Sequence, residues 1–157
     1  MFRTRHAVTR AAAAAVLVTV PALAIPSHAD ASPHRITSTF KERSAAARIA
    51  LRKVNAPYRW GAAGPRAFDC SGLVTWSYRR AGHALAGRTS WALHERGARI
   101  RRAALRRGDL VYTWDRGLGH VGIFIGRGRY VHAPGSGRRV IVAPVPTGSG
   151  FVSAIRP

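Results

Sequence analysis

The sequence predicts an α+β domain, with helices in the first half and an antiparallel sheet of about five strands in the second. Three observations carry this expectation. Apolar residues recur at helical spacing as far as Arg99 and fall into short β-rich runs beyond it. Those runs are separated by Gly, Pro or Ser, the punctuation of tight turns between neighbouring strands. Helices grouped first and strands grouped afterwards mark an α+β order, not an alternating βαβ one.

The first helix is expected over residues 40–55, where Ala46, Ile49, Ala50 and Val54 make an apolar stripe. Pro57 and the Gly61, Gly64, Pro65 cluster end it and impose a loop up to Asp69. A second helix starts at Cys70, with Leu73, Val74, Ser77 and Ala81 on one face and Gly82 as its stop. A short third one, 90–96, opens after Thr89. The strands are expected at 109–114 (DLVYTW), 120–126 (HVGIFIG), 129–134 (RYVHAP), 139–144 (RVIVAP) and 151–155 (FVSAI).

Upstream of this domain, Arg3, Arg5 and Arg10 precede an apolar run from Ala11 to Ala24, and small residues follow at Ser27 and Ala29. That is the layout of an export signal, so residues 1–29 are expected to be cleaved and 30–39 to form a polar linker before a domain at 40–157. The run is interrupted by Pro21 and falls short of the roughly 20 apolar residues of a spanning helix, so no membrane anchor is expected after cleavage. A secreted monomer is the expected form.

Charge is extreme: 26 Lys and Arg stand against 6 Asp and Glu, a formal net charge of +20. Such a surface attracts polyanions. For an exported protein the expected partners are anionic cell-wall polymers, and nucleic acid is not expected. The bases are nearly all Arg, a bias that codon use in a GC-rich genome also produces, so charge alone names no function.

Cys70 is the only cysteine. Exported thiols usually pair or are lost, so an unpaired one is either a small buried hydrophobe or a nucleophile. At a helix N-terminus, free backbone N–H groups and the helix dipole lower a thiol's pKa and can hold an oxyanion. Asp69 before it suits an N-cap, and Ser71 lies within the first turn. Of seven histidines, His6 and His28 fall in the leader, His34 in the linker, His83 at a helix end and His94 on a polar helix face. His120 and His132 remain, both on expected strands.

Their relation follows from parity. A three-residue hairpin loop, Gly126-Arg127-Gly128, would set Ile125 against Arg129 and Gly122 against His132. His120 is then the diagonal same-face neighbour of His132, roughly 7 to 8 Å away by Cα and within imidazole hydrogen-bond reach. A Cys, His, His set is thus available for nucleophilic catalysis, with Cys70 to attack, His120 to take its proton and His132 to hold the ring. The same three side chains also suit zinc, although Glu42 and Glu95 sit on helix surfaces by pattern, away from any role as base. Nucleophile, core residue and metal ligand all stay open on chemistry alone.

Two long stretches add to this: "PYRWGAAGPRAFDCSGLVTWSYRRAG" at 57–82 and "LRRGDLVYTWDRGLGHVGIFIGRGRYVHAP" at 105–134. Together they resemble the NlpC/P60 family of papain-like cysteine peptidases, and the resemblance runs from about Phe40 to the C-terminus. It implies a papain-like fold and, as function, cleavage of peptidoglycan stem peptides, most often between D-γ-glutamyl and a diamino acid, with no cofactor or metal. By the same resemblance Cys70 is the nucleophile, His120 the base and His132 the third polar residue. Tyr58 matches a tyrosine beside the oxyanion site, and Asp69 and Ser71 match residues that hold a free amine in relatives acting on short stems. Two positions depart from the family wording: Ala62 stands where many members have glycine, and Arg107 where many have proline, a change expected to loosen the start of that strand. Arg59 and Arg66, beside the Cys70 loop, are the arginines expected nearest the cleft. An amidase or acyltransferase of the wider superfamily would use the same residues. A catalytically silent cationic wall-binding or antimicrobial protein is the alternative from another class.

Overall fold

The computed structural model describes residues 37–113 and 118–157. The expected signal segment and most of the linker lie outside the described residues, as does Trp114 at the end of the first expected strand. The chain forms α1 (Phe40–Leu51), α2 (Cys70–Arg80) and α3 (Ser90–Glu95), then β1 (Ala98–Arg99), β2 (Leu110–Thr113), β3 (Val121–Gly126), β4 (Arg129–His132), β5 (Ile141–Pro144) and β6 (Phe151–Arg156). All pairings are antiparallel, in the order β1-β6-β2-β3-β4-β5. The α+β expectation holds, with one strand more than expected. That strand, β1, is two exposed residues at the sheet edge, too short to carry any alternation in sequence.

Each helix begins on a polar cap that satisfies backbone N–H groups left without intrahelical partners. Thr39 and Glu42 make a reciprocal capping box on α1, Asp69 accepts from the Gly72 N–H on α2, and Thr89 accepts from the Ala92 N–H on α3. α1 stops at Leu51, four residues before its expected end, because turns follow and Asn55 takes a positive φ of 74°. Val54, read as part of the apolar stripe, is therefore exposed.

The sheet's alternation divides its apolar residues between two faces. Leu110, Tyr112, Val121, Ile123, Val131 and Ile155 join Ala46, Ala50, Leu73 and Val74 of the helices in the larger core cluster. On the other face Val111, Phe124, Tyr130 and Val145 form a smaller one. Burial of each such large aliphatic side chain contributes about 1.5–3 kcal/mol. The start of β2 is clamped by Asp109, which is fully buried and accepts from both Nε and Nη2 of Arg156, at 2.9 and 2.8 Å. Arg107 does not loosen this start. Its guanidinium donates to the Ile125 carbonyl at 2.9 Å and ties it to β3. Gly108 is required, with φ at +95° and a Cβ there falling 2.4 Å from that of Arg43.

The β3–β4 hairpin sets the geometry of the histidines. Ile123 pairs with Val131 and Phe124 with Tyr130, the register expected from the sequence. The tip differs: Gly126 pairs with Arg129 across a two-residue turn, and Ile125 is absorbed in a register shift. Arg127 and Gly128 both take positive φ, 51° and 66°, as such a turn requires. A two-residue turn alone would have reversed the relative facing of the histidines. The irregularity at Ile125 restores it.

Candidate active site

Cys70 is the first residue of α2, half-buried, with its thiol donating toward the Gly119 carbonyl at 3.8 Å. Backbone N–H groups of Val121, Ser71 and Cys70 itself draw the thiol pKa down, as expected of a helix start. Burial outweighs them, so the thiol sits above its ordinary value, opposite to the shift expected from the helix terminus. Gly72 is the position that lets α2 start so close to the preceding loop. A Cβ there would lie 2.1 Å from the Ala62 carbonyl, which accepts the Asp69 N–H at 2.8 Å. Ala62 in place of glycine leaves this backbone contact intact.

The sulfur therefore rests against the segment Gly119-His120-Val121, and His120 leads into β3. Its carbonyl accepts from the Thr113 N–H, and its Nε2 lies 2.8 Å from Nδ1 of His132, with the ring centroids 5.0 Å apart. The diagonal relation read from strand parity is thus present. Gly122 lies beneath it, where a Cβ would be 2.8 Å from that of His132. His132 is fully buried and stacked on Tyr130, with centroids 4.4 Å apart. Burial holds His120 down at about 4; burial, then the proximity of His120 and Arg138, holds His132 at about 3. Burial therefore favours the uncharged form of the thiol and of both imidazoles.

Tyr58 is positioned by backbone pairing: its N–H donates to Arg138 O, while Arg59 N–H and Phe68 O, and Phe68 N–H and Pro57 O, close the loop across it. Burial first, then the negative charge of an ionised Cys70 and of Asp69, raises its pKa, so the phenol stays protonated as a donor beside both. Asp69 and Ser71 sit together in the same cleft, Ser71 Oγ donating to Asp69 Oδ1 at 3.3 Å. Arg88 joins them with Nη2 on Asp69 Oδ2 at 2.7 Å, and with Nη1 on Asp69 Oδ1 at 3.1 Å and on Ser71 Oγ at 2.9 Å. The cleft encloses about 470 Å³, with Cys70 and Gly119 on its floor and the exposed Trp60 and Trp91 among its walls.

The profile of the NlpC/P60 family matches residues 55–151, the span that holds every one of these side chains. The chain belongs to the NlpC/P60 family. It is 41% identical over 115 residues to the probable endopeptidase Rv2190c of Mycobacterium tuberculosis, covering 73% of this chain and 29% of that protein. It is 35% identical over 96 residues to murein DD-endopeptidase MepH of Escherichia coli, covering 57% of this chain and 35% of that one. The chain thus spans about a third of the length of these curated relatives. Among solved structures, the NlpC/p60 domain of peptidoglycan hydrolase SagA superposes with a TM-score of 0.64 at 30% identity, over 73% of this chain and 98% of that one. NlpC2 of Trichomonas vaginalis gives 0.66 at 28% identity, over 76% and 48%.

In this NlpC/P60 chain the arginine of the cleft is Arg88; neither Arg59 nor Arg66 lines it. No local pattern reveals that, because the Arg88 partner Asp69 is 19 residues upstream and the two side chains meet only in the folded chain. Trp60, an indole in a glycine-rich loop, is 84% exposed and lines the cleft with Trp91. His94, read as lying on a polar helix face, is buried edge-on against Tyr112 and bonded to Ser153 Oγ at 2.9 Å. Among the described residues no group of three or more His, Cys, Asp or Glu side chains is placed to share a metal ion, and no helix is long and apolar enough to cross a membrane.

Proposed function

We propose that this chain is a secreted, wall-associated thiol peptidase that cleaves the stem peptide of peptidoglycan at the D-γ-glutamyl–diamino acid bond. Residues 40–157 form the catalytic domain, 1–29 the export signal and 30–39 the linker, and the enzyme acts as a monomer without a cofactor. The observation that carries this reading is the 2.8 Å contact from His120 Nε2 to His132 Nδ1, on a segment whose neighbouring carbonyl receives the Cys70 thiol.

That contact needs one proton between two ring nitrogens. With the proton on His120 Nε2, donated to His132, the Nδ1 of His120 keeps its lone pair as a base. His120 takes the thiol proton as Cys70 Sγ attacks the carbonyl carbon. The oxyanion that forms is met by backbone N–H groups at the start of α2 and by the Tyr58 phenol. Collapse of the adduct passes the proton from His120 to the leaving amine and leaves a thioester. Water, deprotonated by His120, then hydrolyses the thioester and restores the thiol.

Endopeptidase names among the relatives support peptide cleavage, but the Escherichia coli relative is named for a DD bond, so the bond is the point to test. Purified sacculi digested with the enzyme and analysed by mass should show new diamino acid N-termini paired with D-γ-glutamyl C-termini. New termini at the D,D cross-link would reassign the bond. Release of whole stems from the glycan would instead make the enzyme an amidase.

A further inference from the structure

We infer that the groove between the C-terminal ends of α1 and α2 is a docking site for a linear phosphodiester polymer of the cell wall. The inference rests on the wall-associated reading, to which it adds a second site, apart from the cleft at Cys70, and a ligand of stated chemistry.

Both helices deliver cations to one place. Arg52 and Lys53 follow the last residue of α1, Arg79 and Arg80 close α2, and all four line a concavity of about 780 Å³ around Trp76. Lys53 Nζ lies 4.8 Å and the Arg80 guanidinium 5.9 Å from the indole centroid, where the ring's negative face attracts a cation. The indole is itself seated: the Phe68 ring meets it edge-on with centroids 5.3 Å apart, and a Cβ at Gly64 would lie 2.7 Å from it. No acid balances the cluster. Among the described residues Glu42 caps α1, Asp69 holds Arg88, Asp109 holds Arg156 and Glu95 lies on α3, and none of them lines the groove. A helix C-terminus supplies roughly half a negative charge, so two of them leave most of the cluster's positive charge uncompensated. Gathering like charges costs free energy that a multiply charged anion relieves.

The ligand follows from the charges on each side. Stem peptides built on a diamino acid carry ammonium groups beside their carboxylates, and the groove offers no acid to meet them. A phosphodiester chain carries one anion per repeat and no cation, and a flexible single chain can enter a concavity that a bilayer or a duplex bridges. Bases of single-stranded nucleic acid stack on free aromatic faces, whereas Trp76 is already engaged by Lys53, Arg80 and Phe68. The groove and the cleft lie at opposite ends of α2, since a rise of 1.5 Å per residue puts roughly 15 Å between Cys70 and Arg80 along the axis.

The test is direct binding, by calorimetry, of the secreted protein to synthetic poly(glycerol phosphate) at about 0.1 M salt, where the Debye length is still about 10 Å. Two variants of equal charge are compared with the wild type. One replaces Arg52, Lys53, Arg79 and Arg80 by Gln; the other replaces Arg101, Arg106, Arg127 and Arg129, exposed arginines outside the groove, by Gln. The groove variant should bind at least about tenfold more weakly, and its slope of log affinity against log salt should be shallower by about 2–3, at about 0.7 per phosphate neutralised on a single strand. The control variant should keep most of the wild-type affinity. Equal losses in the two variants, or a groove variant that binds as the wild type does, would overturn the inference in favour of bulk charge. A groove variant that keeps the polymer but loses phosphatidylglycerol vesicles or single-stranded DNA would overturn it in favour of a membrane or a nucleic acid. Both variants should cleave a soluble stem peptide as the wild type does, so failure of the docking site leaves the peptidase reading standing. A wild type that binds the polymer through the groove but cleaves no stem peptide would overturn the peptidase reading alone.

Discussion

Two concave regions of the molecule are lined by arginine and tryptophan, yet they are built on opposite principles. In the cleft at Cys70 the cation is fixed: Arg88 is clamped to Asp69, Ser71 and Gly61. In the groove of about 780 Å³ between α1 and α2, Arg52, Lys53, Arg79 and Arg80 surround Trp76, and no carboxylate lines it. Lys53 and Arg80 lie over the Trp76 ring at 4.8 and 5.9 Å, and among the described residues none of the four is in a salt bridge. Arg79 and Arg80 occupy the last turn of α2, where cations complement the helix dipole by about 0.3–1 kcal/mol each. Paired charges hold a geometry that chemistry can use, whereas unpaired charges offer attraction without geometry. The first region should be sensitive to single atoms and tolerant of salt, and the second the reverse.

The largest expected effect lies in the cleft. Cys70→Ala should lower turnover of a soluble stem peptide by at least about 10⁴-fold, as loss of a nucleophile does. The circular dichroism spectrum should be unchanged, because a small residue replaces a small one at a capped helix start. His120→Asn should follow with a loss of about 10²–10⁴-fold, the range of a general base. His132→Gln should cost less than that, because an amide oxygen still accepts from His120 Nε2. Equal and complete loss at both histidines would contradict the division of roles.

The groove is tested by salt. Between 0.1 and 1 M the Debye length falls from about 10 to about 3 Å, so pelleting with wall fragments should drop steeply while soluble-peptide turnover changes little. Replacing Arg52, Lys53, Arg79 and Arg80 together by Gln should weaken wall pelleting far more than it affects the soluble peptide, and should flatten the salt dependence. Salt-insensitive pelleting would show a specific contact at work, and a parallel fall of both activities would place salt-sensitive arginines in the cleft.

The smallest effect expected is on stability. His120 and His132 resist protonation when folded, at about 4 and 3, but protonate near 6.5 when unfolded. The unfolded chain therefore binds more protons below pH 6.5, and stability should fall as pH drops from 7 toward 4. Thermal melts of wild type and His132→Gln across that range check this, the variant showing the shallower slope.

The two regions also differ in how far they were legible. The geometry at Cys70 and at the two histidines could be read because it depends on order and parity: a capped helix start fixes Cys70, and the β3–β4 register fixes His120 against His132. The irregularity at Ile125 could not be read, since a turn and a compensating shift give the same facing as a longer loop. The direction of the Cys70 shift was hidden as well. Helix-terminal N–H groups are local and visible in sequence, whereas the burial that outweighs them comes from the whole fold. Arg88 and the groove are tertiary in the same sense. The side chains of Lys53 and Arg80 meet over Trp76 only when α1 and α2 pack.

The claim that Cys70 is the nucleophile is tested most directly by trapping the intermediate. The enzyme is mixed with excess acetylated stem peptide, quenched in acid within one turnover, and its intact mass and digest are measured. A single added acyl group, the N-terminal half of the substrate, should be found on the peptide carrying Cys70 and be released by hydroxylamine. Full turnover with no adduct on Cys70, or an equal rate in Cys70→Ala, would contradict the account.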